Sequence, residues 1–466
     1  MVPVTRYRTG PAGPDGSCLW QDELAGDIGV PRPALDGDGQ ADIVVVGAGY
    51  TGLWTAYYLA RLAPDRAVTV VEARTAGFGA SGRNGGWCTT EMPALLANLV
   101  RRYGPMPAMR LYRAGRRTLD EIETVLAREG IDCGWRRDGS LYLATTAPQR
   151  DRLLAWQDLR LKLGITDLAV LAGAAARDRL AVPGVLLAGY TPNCAVVQPA
   201  RIARGLARAV ERAGVRIVEG TRVLRVGPGA VLTDRGLLRA QVVLCGTEAY
   251  NGALAVRARQ VLPVRSRLLA TAPLPAALWQ RLGWHDRVTV ADSRYQFGYF
   301  QRTADDRLVA GGRGAGYRAG SRAVGPSRGD ARVYARLRAM LAGLDPELRE
   351  VEITHSWAGA YGLHRDTEPA VLYDPATRIG YAGGYGGEGI ALANLAGRTL
   401  AALVAGVDRP ETRLCWTNHR GRRWEPEPLR LLGVRAVSAL ASRADAYEDR
   451  TGRRAPLAGP MMRAVL

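Results

Sequence analysis

Apolar and polar positions along this chain follow two periods, and the places where the period changes mark its organisation. Residues 43–46 are an apolar β-branched run with the composition of a buried parallel strand. Residues 53–62 contain no Gly or Pro and predict a helix, and 67–71 (AVTVV) predict a second strand. Residues 91–130 carry a helical pattern, with Leu95, Leu96, Leu99 and Val100 on one apolar face and Leu119, Ile122 and Val125 on another. Residues 137–145 (RDGSLYLAT) read as a turn and then a strand, 150–163 as an amphipathic helix and 186–190 as a strand. The strongest helical signal is 197–214, apolar at Ile202, Leu206, Ala209 and Val210 and stopped by Gly214. Strands follow at 215–219 and 240–245. Between 262 and 320 the period is two: LPVRSRLLAT, VTVADS, FGYFQRT and RLVAGG alternate with turn signals, the pattern of an antiparallel sheet. A helix at 330–344, a strand at 353–357, a strand and long apolar helix within 378–404 and a helical stretch near 429–444 complete the reading.

The first strand, helix and second strand form a βαβ unit, and Gly47, Gly49 and Gly52 sit at its strand-to-helix turn with the spacing G-x-G-x-x-G. Gly47 makes the tight turn, Gly49 admits a pyrophosphate, and Gly52 lets the helix pack close to the strand. The helix N-terminus offers free N–H groups and a positive dipole end. Glu72 closes the unit where an acid accepts ribose hydroxyls. This predicts a dinucleotide site without choosing between FAD and NAD. Five of the eleven residues in GFGASGRNGGW (77–87) are glycine, a loop suited to presenting backbone N–H groups. A second strand-to-helix junction carries Gly383, Gly384, Gly386, Gly387 and Gly389 and aims another helix N-terminus at a ligand.

A chain of 466 residues exceeds one simple core. The expected division is an N-terminal arm at 1–40, a discontinuous dinucleotide-binding domain at 41–95, 190–255 and 350–406, a substrate domain at 96–189 and 256–349, and a C-terminal extension at 407–466. Within the arm, 17–24 predict a short helix. No run reaches the eighteen or so apolar residues of a membrane helix, and no secretory signal opens the sequence, so a cytoplasmic location is expected. The formal charge is +19, nearly all of it from arginine, with Lys162 the one lysine. The arginines form no block and accompany no nucleic-acid motif, so a solvated surface is expected, with no nucleic-acid partner. The six cysteines lie far apart with no C-x-x-C, which implies neither a disulfide framework nor a metal site.

Four segments, IVVVGAGYTGLWTAYYLA, GASGRNGG, VQPARIARGLARAVERAGVRIVEGTRV and GYAGGYGGEGIALANLAGRTLA, together with RLVAGGRGAGY, resemble the D-amino-acid oxidase superfamily of FAD-dependent oxidoreductases. The resemblance spans about residues 17–430 and lies in the branch holding glycine oxidase, sarcosine oxidase and gamma-glutamylputrescine oxidase. The GASGRNGG loop is most similar to the gamma-glutamylputrescine oxidase and aminophosphonate oxidoreductase group. The resemblance implies an α/β fold: a Rossmann-like FAD-binding domain, discontinuous in sequence, and an α+β substrate domain built on an antiparallel sheet. It also implies that Gly47, Gly49, Tyr50, Thr51 and Gly52 meet the pyrophosphate, and that Glu72, Ala73 and Arg74 meet the adenosine ribose. Val223 meets the adenine through its backbone, and Gly246 borders the cofactor. Gly79, Ala80, Ser81, Arg83, Asn84, Gly85 and Gly86 pass near the isoalloxazine. Gly384, Gly386, Gly387, Glu388, Gly389 and Ile390 place N–H groups near the pyrimidine ring, where a positive helix end stabilises the anionic reduced flavin.

The departures bear on the substrate. Glycine oxidase-like members carry WAGLRP, whose arginine clamps the substrate carboxylate; here the segment is WAGAYG and Tyr361 takes that place. Arg365 either serves an anionic group or pairs with Asp366 or Glu368. Trp87 and Tyr299 either wall an aromatic substrate pocket or belong to the core. Glu388 either faces the flavin and binds a cationic amine or caps its helix, and His355 and His364 serve proton transfer or structure. No cysteine lies between Cys245 and Cys415, so FAD is expected to be noncovalent. The resemblance implies an enzyme that moves a hydride from the carbon beside an amine nitrogen to flavin N5, gives an imine that hydrolyses, and reduces oxygen to hydrogen peroxide. The alternative is a dehydrogenase that passes electrons to a carrier other than oxygen. An NAD enzyme fits less well because of the second glycine-rich junction, and only the charge favours a nucleic-acid-binding protein. The substrate-side residues singled out are Tyr361, Arg365, Tyr299 and Glu388.

Overall fold

The computed structural model describes residues 16–24, 31–91, 93–254, 259–312, 316–323, 325 and 330–456. Two sheets dominate. The first has eight strands, and its parallel run follows the order Ile379–Gly383, Leu237–Cys245, Gly39–Val46, Val68–Val71, Arg216–Val218. The four strand positions Ile43 to Val46 are buried on both faces, which is why the sequence there runs apolar instead of alternating. A hairpin, Val223–Gly227 with Ala230–Thr233, and the antiparallel strand Ala370–Asp374 complete this sheet.

The second sheet has nine strands, in the order Gly16–Ser17, Ile353–His364, Val261–Thr271, Leu308–Gly312, Gly298–Arg302, Thr289–Asp292, Ser140–Ala144, Leu187–Thr191, Ala169–Ala172. All neighbours are antiparallel except Thr289–Asp292 with Ser140–Ala144. It forms a platform facing the glycine-rich loop. A small antiparallel pair, Trp87–Thr89 with Cys194–Val196, ties that loop to the start of the helix Pro199–Arg212.

Two helices fill the centre of the first unit. Tyr50–Leu62 is buried at every position from Tyr50 to Leu59, and Gly389–Ala405 lies across it. Close approach needs a small residue: a Cβ on Gly397 would lie 2.7 Å from the Trp54 Cβ.

The structure differs from the sequence reading in three places. The helical region at 91–130 is two helices, Pro93–Tyr103 and Pro105–Arg128, because Gly104 takes a positive φ of 80° and Pro105 starts a new helix. Both pack with the two central helices of the eight-stranded sheet: Leu99, Leu119, Ile122 and Val125 share one cluster with Leu53 and Leu395. The strand expected at 353–357 continues to His364 along Val261–Thr271, so the stretch 353–364 belongs to the platform and the chain rejoins the first sheet only at Ala370. The C-terminal helix, Leu429–Thr451, packs back on the platform side, where Asp445 accepts from the Tyr295 and Gln296 N–H groups at 2.8 Å each.

Candidate functional site

The G-x-G-x-x-G turn is built by close contact. A Cβ on Gly52 would stand 1.9 Å from the Gly47 carbonyl oxygen, so no other residue lets the helix begin there. Gly246, at the end of the neighbouring strand, presses on the same turn: its N–H donates to the Val46 carbonyl at 2.9 Å. Among the turn's amides, Ala48 donates to Glu72 Oε2 at 2.8 Å and Tyr50 to Ser81 Oγ at 2.9 Å. Glu72 also accepts from the Arg74 N–H at 2.9 Å. Burial raises the Glu72 carboxyl's pKa, against the pull of these amides.

The outer end of this site is a backbone seam. Residues 72–74 run beside 218–221, with the Thr221 N–H on the Glu72 carbonyl at 2.9 Å and the Gly220 N–H on the Arg74 carbonyl at 3.0 Å. Ala73 lies within this seam, and Val223 opens the hairpin that follows it. Glu219 holds the corner: it accepts from the Ala76 N–H at 2.8 Å and pairs with Arg32 at 3.0 Å and Arg204 at 3.3 Å. Sequence reasoning missed Glu219 and Arg32, which no local motif joins.

The loop at 77–86 lies on the turn. The Gly77 N–H donates to the Ala48 carbonyl at 2.9 Å, and a one-turn helix at Ala80–Gly82, with Gly79 as its N-cap, delivers Ser81 to Tyr50. The side chains of Asn84 and Arg83 make hydrogen bonds that shape the loop. Asn84 donates to the Ala80 and Ser81 carbonyls at 3.1 and 3.0 Å and accepts from the Gly86 N–H at 2.8 Å. Arg83 donates to the Phe78 carbonyl at 2.9 Å and to Gln21 at 3.3 Å.

On the platform side, Tyr299 stands under Gly85, where an added Cβ would meet its ring at 2.4 Å. Its hydroxyl shares a hydrogen bond with Ser266 at 2.9 Å, and its ring meets Trp87 edge-on at 5.8 Å. Trp87 and Tyr299 therefore form one aromatic corner against the loop. Gln301, two residues along the same strand face, lies beneath Gly86 with both carboxamide atoms buried and without a hydrogen-bond partner, and the Trp87 indole N–H is buried and unpartnered as well. Sequence reasoning missed Gln301; its place two residues after Tyr299 in an alternating strand was the available signal.

The second junction joins the first through Thr51, whose hydroxyl meets the Tyr385 hydroxyl at 3.0 Å. The amides of Gly384 and Tyr385 are taken by another missed residue, Glu248, whose Oε1 accepts both at 3.2 Å. Its Oε2 is buried and unpartnered, and burial pushes this carboxyl up to about 7. The donors left at this junction are those of the helix start. The first intrahelical bond runs from the Leu392 N–H to the Glu388 carbonyl at 3.2 Å, so the amides of Gly389, Ile390 and Ala391 precede the ladder. Gly386 donates weakly to the Gly362 carbonyl at 3.4 Å, and Gly387 adopts a positive φ of 122° at the exposed tip of the turn. Glu388 occupies the N-cap position, with no side-chain capping hydrogen bond. Its charge bears on the Cys88 and Cys194 thiols behind the loop.

Tyr361 lies on the platform strand opposite Val264. Arg365 is not brought to the glycine loop. It pairs with Glu425 at 3.1 Å and lies over the Trp424 ring at 5.3 Å, because the chain turns after His364 toward the C-terminal segment. Its expected partners, Asp366 and Glu368, pair instead with Arg102 at 3.2 Å each, beside His419. His364 is structural: buried, its ring nitrogens meet the Glu368 carbonyl at 2.6 Å and the Tyr381 hydroxyl at 3.1 Å. His355 faces Asp22 at 3.4 Å.

Two glycine-rich strand-to-helix junctions, joined at Thr51 and Tyr385 and covered by a third glycine-rich loop, make a donor set suited to an anionic dinucleotide. Buried polar atoms without partners on Gln301, Trp87 and Glu248 border the loop and the second junction. Comparison with known proteins agrees. Gamma-glutamylputrescine oxidoreductase of Escherichia coli (strain K12) is 30% identical over 381 residues, covering 81% of this chain and 86% of that protein. A protein described as "Probable oxidoreductase OrdL" from Rhizobium meliloti (strain 1021) is 29% identical over 385 residues, 80% of this chain and 85% of that one. The crystal structure of glycine oxidase from Geobacillus kaustophilus superposes with a TM-score of 0.68 at 24% identity, covering 82% of this chain and all of that one, which shows the shared fold. The DAO family, described as FAD dependent oxidoreductase, matches residues 42–403, from the first strand of the βαβ unit to the end of the second junction's helix. The chain belongs to this family and is an FAD-dependent oxidoreductase.

Proposed function

We propose that this enzyme oxidises a C–N bond of an amine or amino-acid-like substrate and passes the electrons to oxygen, giving hydrogen peroxide. The observation that carries the reading is the aromatic corner of Trp87 and Tyr299, set on the platform directly against the glycine loop of a family FAD enzyme. The relatives named for gamma-glutamylputrescine and glycine support a nitrogen-bearing substrate.

The eight-stranded sheet with its helices is the FAD-binding unit and the nine-stranded sheet is the substrate platform. Gly47, Gly49 and Gly52 with the following helix start hold the pyrophosphate, and Glu72 with the 72–74 and 218–221 seam holds the adenosine end. The loop at 79–86 and the helix start at Gly389 and Ile390 border the flavin, which is bound noncovalently. When bound, FAD supplies a two-electron acceptor for the hydride on the carbon beside nitrogen. The protein's own residues orient and polarise. Tyr299, fixed by Ser266, and Trp87 exclude water and position the substrate. Glu388, at the N-cap of the second junction's helix, favours a cationic nitrogen at the mouth of that junction. The N-terminal end of the Gly389–Ala405 helix stabilises negative charge. Tyr361 in the family's arginine position supports a substrate lacking the α-carboxylate that glycine-type enzymes clamp. All six cysteines are free thiols, which favours a reducing, cytoplasmic location.

Peroxide formation across a panel of putrescine derivatives, N-methyl amino acids, glycine, D-amino acids and aminophosphonates tests the reading. Peroxide with one class assigns substrate and acceptor together. Turnover only with an artificial dye replaces oxygen by another acceptor, and no turnover with either rejects C–N oxidation.

A further inference from the structure

The family match covers residues 42–403, and residues 16–24, N-terminal to it, reach back into the site. Their backbone adds a short strand to the platform edge, Gly16 opposite Trp357 and Ser17 opposite Ser356. The chain then turns through Leu19–Asp22 and meets the rear of the glycine loop. Three consecutive loop carbonyls are engaged there by side chains from elsewhere. Cys18 Sγ reaches the Gly82 oxygen at 3.7 Å, the Trp357 indole N–H donates to the Arg83 oxygen at 2.8 Å, and the Trp20 indole N–H donates to the Asn84 oxygen at 2.8 Å. The two indoles pack edge to face at 6.0 Å, and Trp20 is 2% exposed. Gln21 accepts from the Arg83 guanidinium, and Gln198 donates to the Trp20 carbonyl at 2.8 Å while capping the helix Pro199–Arg212.

The direction of these bonds matters. In a trans peptide the N–H points opposite to the C=O of the same plane. Fixing the Asn84 carbonyl toward Trp20 therefore fixes the Gly85 N–H away from Trp20. Fixing the Arg83 carbonyl toward Trp357 likewise fixes the Asn84 N–H away from Trp357. The strand Ile353–His364 supplies one of these holds, and the N-terminal segment supplies the next.

We propose that residues 16–24 form a clamp on the flavin-facing loop, and that Trp20 is a positioning residue that sets how tightly FAD is held. The proposal rests on the reading that this loop borders the bound flavin. Because coupling is reciprocal, docking of the clamp and binding of FAD strengthen each other.

The test compares Trp20→Phe with Trp284→Phe. Trp284 is an equally buried indole whose N–H donates to the Val288 carbonyl at 3.0 Å on the far part of the platform. Each change removes one indole N–H and keeps an aromatic ring. FAD dissociation constants of the reconstituted apoproteins and their melting temperatures without FAD are measured side by side. Trp20→Phe is expected to weaken FAD roughly fivefold, the worth of one hydrogen bond, and Trp284→Phe to leave it within about twofold, while both lower the apoprotein melting temperature. Hydrogen exchange on the unaltered full chain gives a second reading that survives a variant that fails to fold: the amides of residues 18–24 are expected to exchange more slowly once FAD is added. Equal FAD affinity in Trp20→Phe and the parent, equal weakening in both variants, or exchange at 18–24 indifferent to FAD overturns the clamp and leaves the FAD site standing. A parent chain that takes up no FAD overturns both.

Discussion

The two glycine-rich junctions use one local device and differ in what reads it. At each, a carboxylate accepts two backbone N–H groups: Glu72 takes those of Ala48 and Arg74, and Glu248 takes those of Gly384 and Tyr385. Glu72 closes the same βαβ unit as its glycines, so spacing alone points to it. Glu248 follows another strand and meets Gly384 and Tyr385 136 and 137 residues away in sequence. The first acid sits at bonds of 2.8 and 2.9 Å, the second at 3.2 Å with one oxygen left unpartnered. A short, well-made pair suits a fixed anchor. A looser pair with a carboxyl near neutrality suits a group that changes its protonation.

The sharpest way to break the comparison is to close the first junction. Gly52→Val puts a side chain against the Gly47 carbonyl, where even a Cβ falls at 1.9 Å. Overpacking of this kind costs about 3 kcal/mol or more, and the variant is expected to purify without flavin absorbance and with a lowered melting temperature.

Next in size is the pH response of the second junction. Glu248 is raised from 4.5 to about 7 by burial, so the folded state favours its neutral form. Its contribution to stability is full below pH 4.5, falls as pH rises toward 7, and is level above that. Unfolding of the FAD-free protein followed from pH 4.5 to 7.5 is expected to show Glu248→Gln losing less stability than the parent, by on the order of 3 kcal/mol. Parallel curves would remove the distinction between the two acids.

A smaller effect belongs to the first acid. Glu72→Ala strands two amides and removes a charge-assisted acceptor, worth about 2 kcal/mol; FAD affinity measured by fluorescence quenching is expected to fall by well over tenfold. The smallest concerns the platform. Tyr299→Phe loses the Ser266 bond, about 1 kcal/mol, and kcat/KM is expected to fall about fivefold with the FAD content unchanged.

These expectations follow how far the sequence was readable. The β-branched run at 43–46, the glycines and Glu72 are local, and the structure has them where the spacing put them. The alternating strands from 262 to 312 were readable for the same reason, since a side chain's face is set by its neighbours two residues away. What was hidden is long-range. Nothing around Ile353 tells that the strand runs on to His364 beside Val261–Thr271, or that the helices at 93–128 pack with the two central helices of the eight-stranded sheet. Arg365 seemed placed to serve the substrate because it follows WAGAYG closely, yet the turn after His364 delivers it to Glu425. Gln301 and Glu248 carry no motif, and only the folded chain brings them to the loop and the junction.

The most direct measurement is an absorbance spectrum of the purified full chain, repeated in an anaerobic cuvette as amines are added one at a time. The account predicts a noncovalent flavin spectrum, released on denaturation, that one class of amine bleaches and that admission of air restores. A flavin spectrum that no amine in the panel bleaches would contradict it.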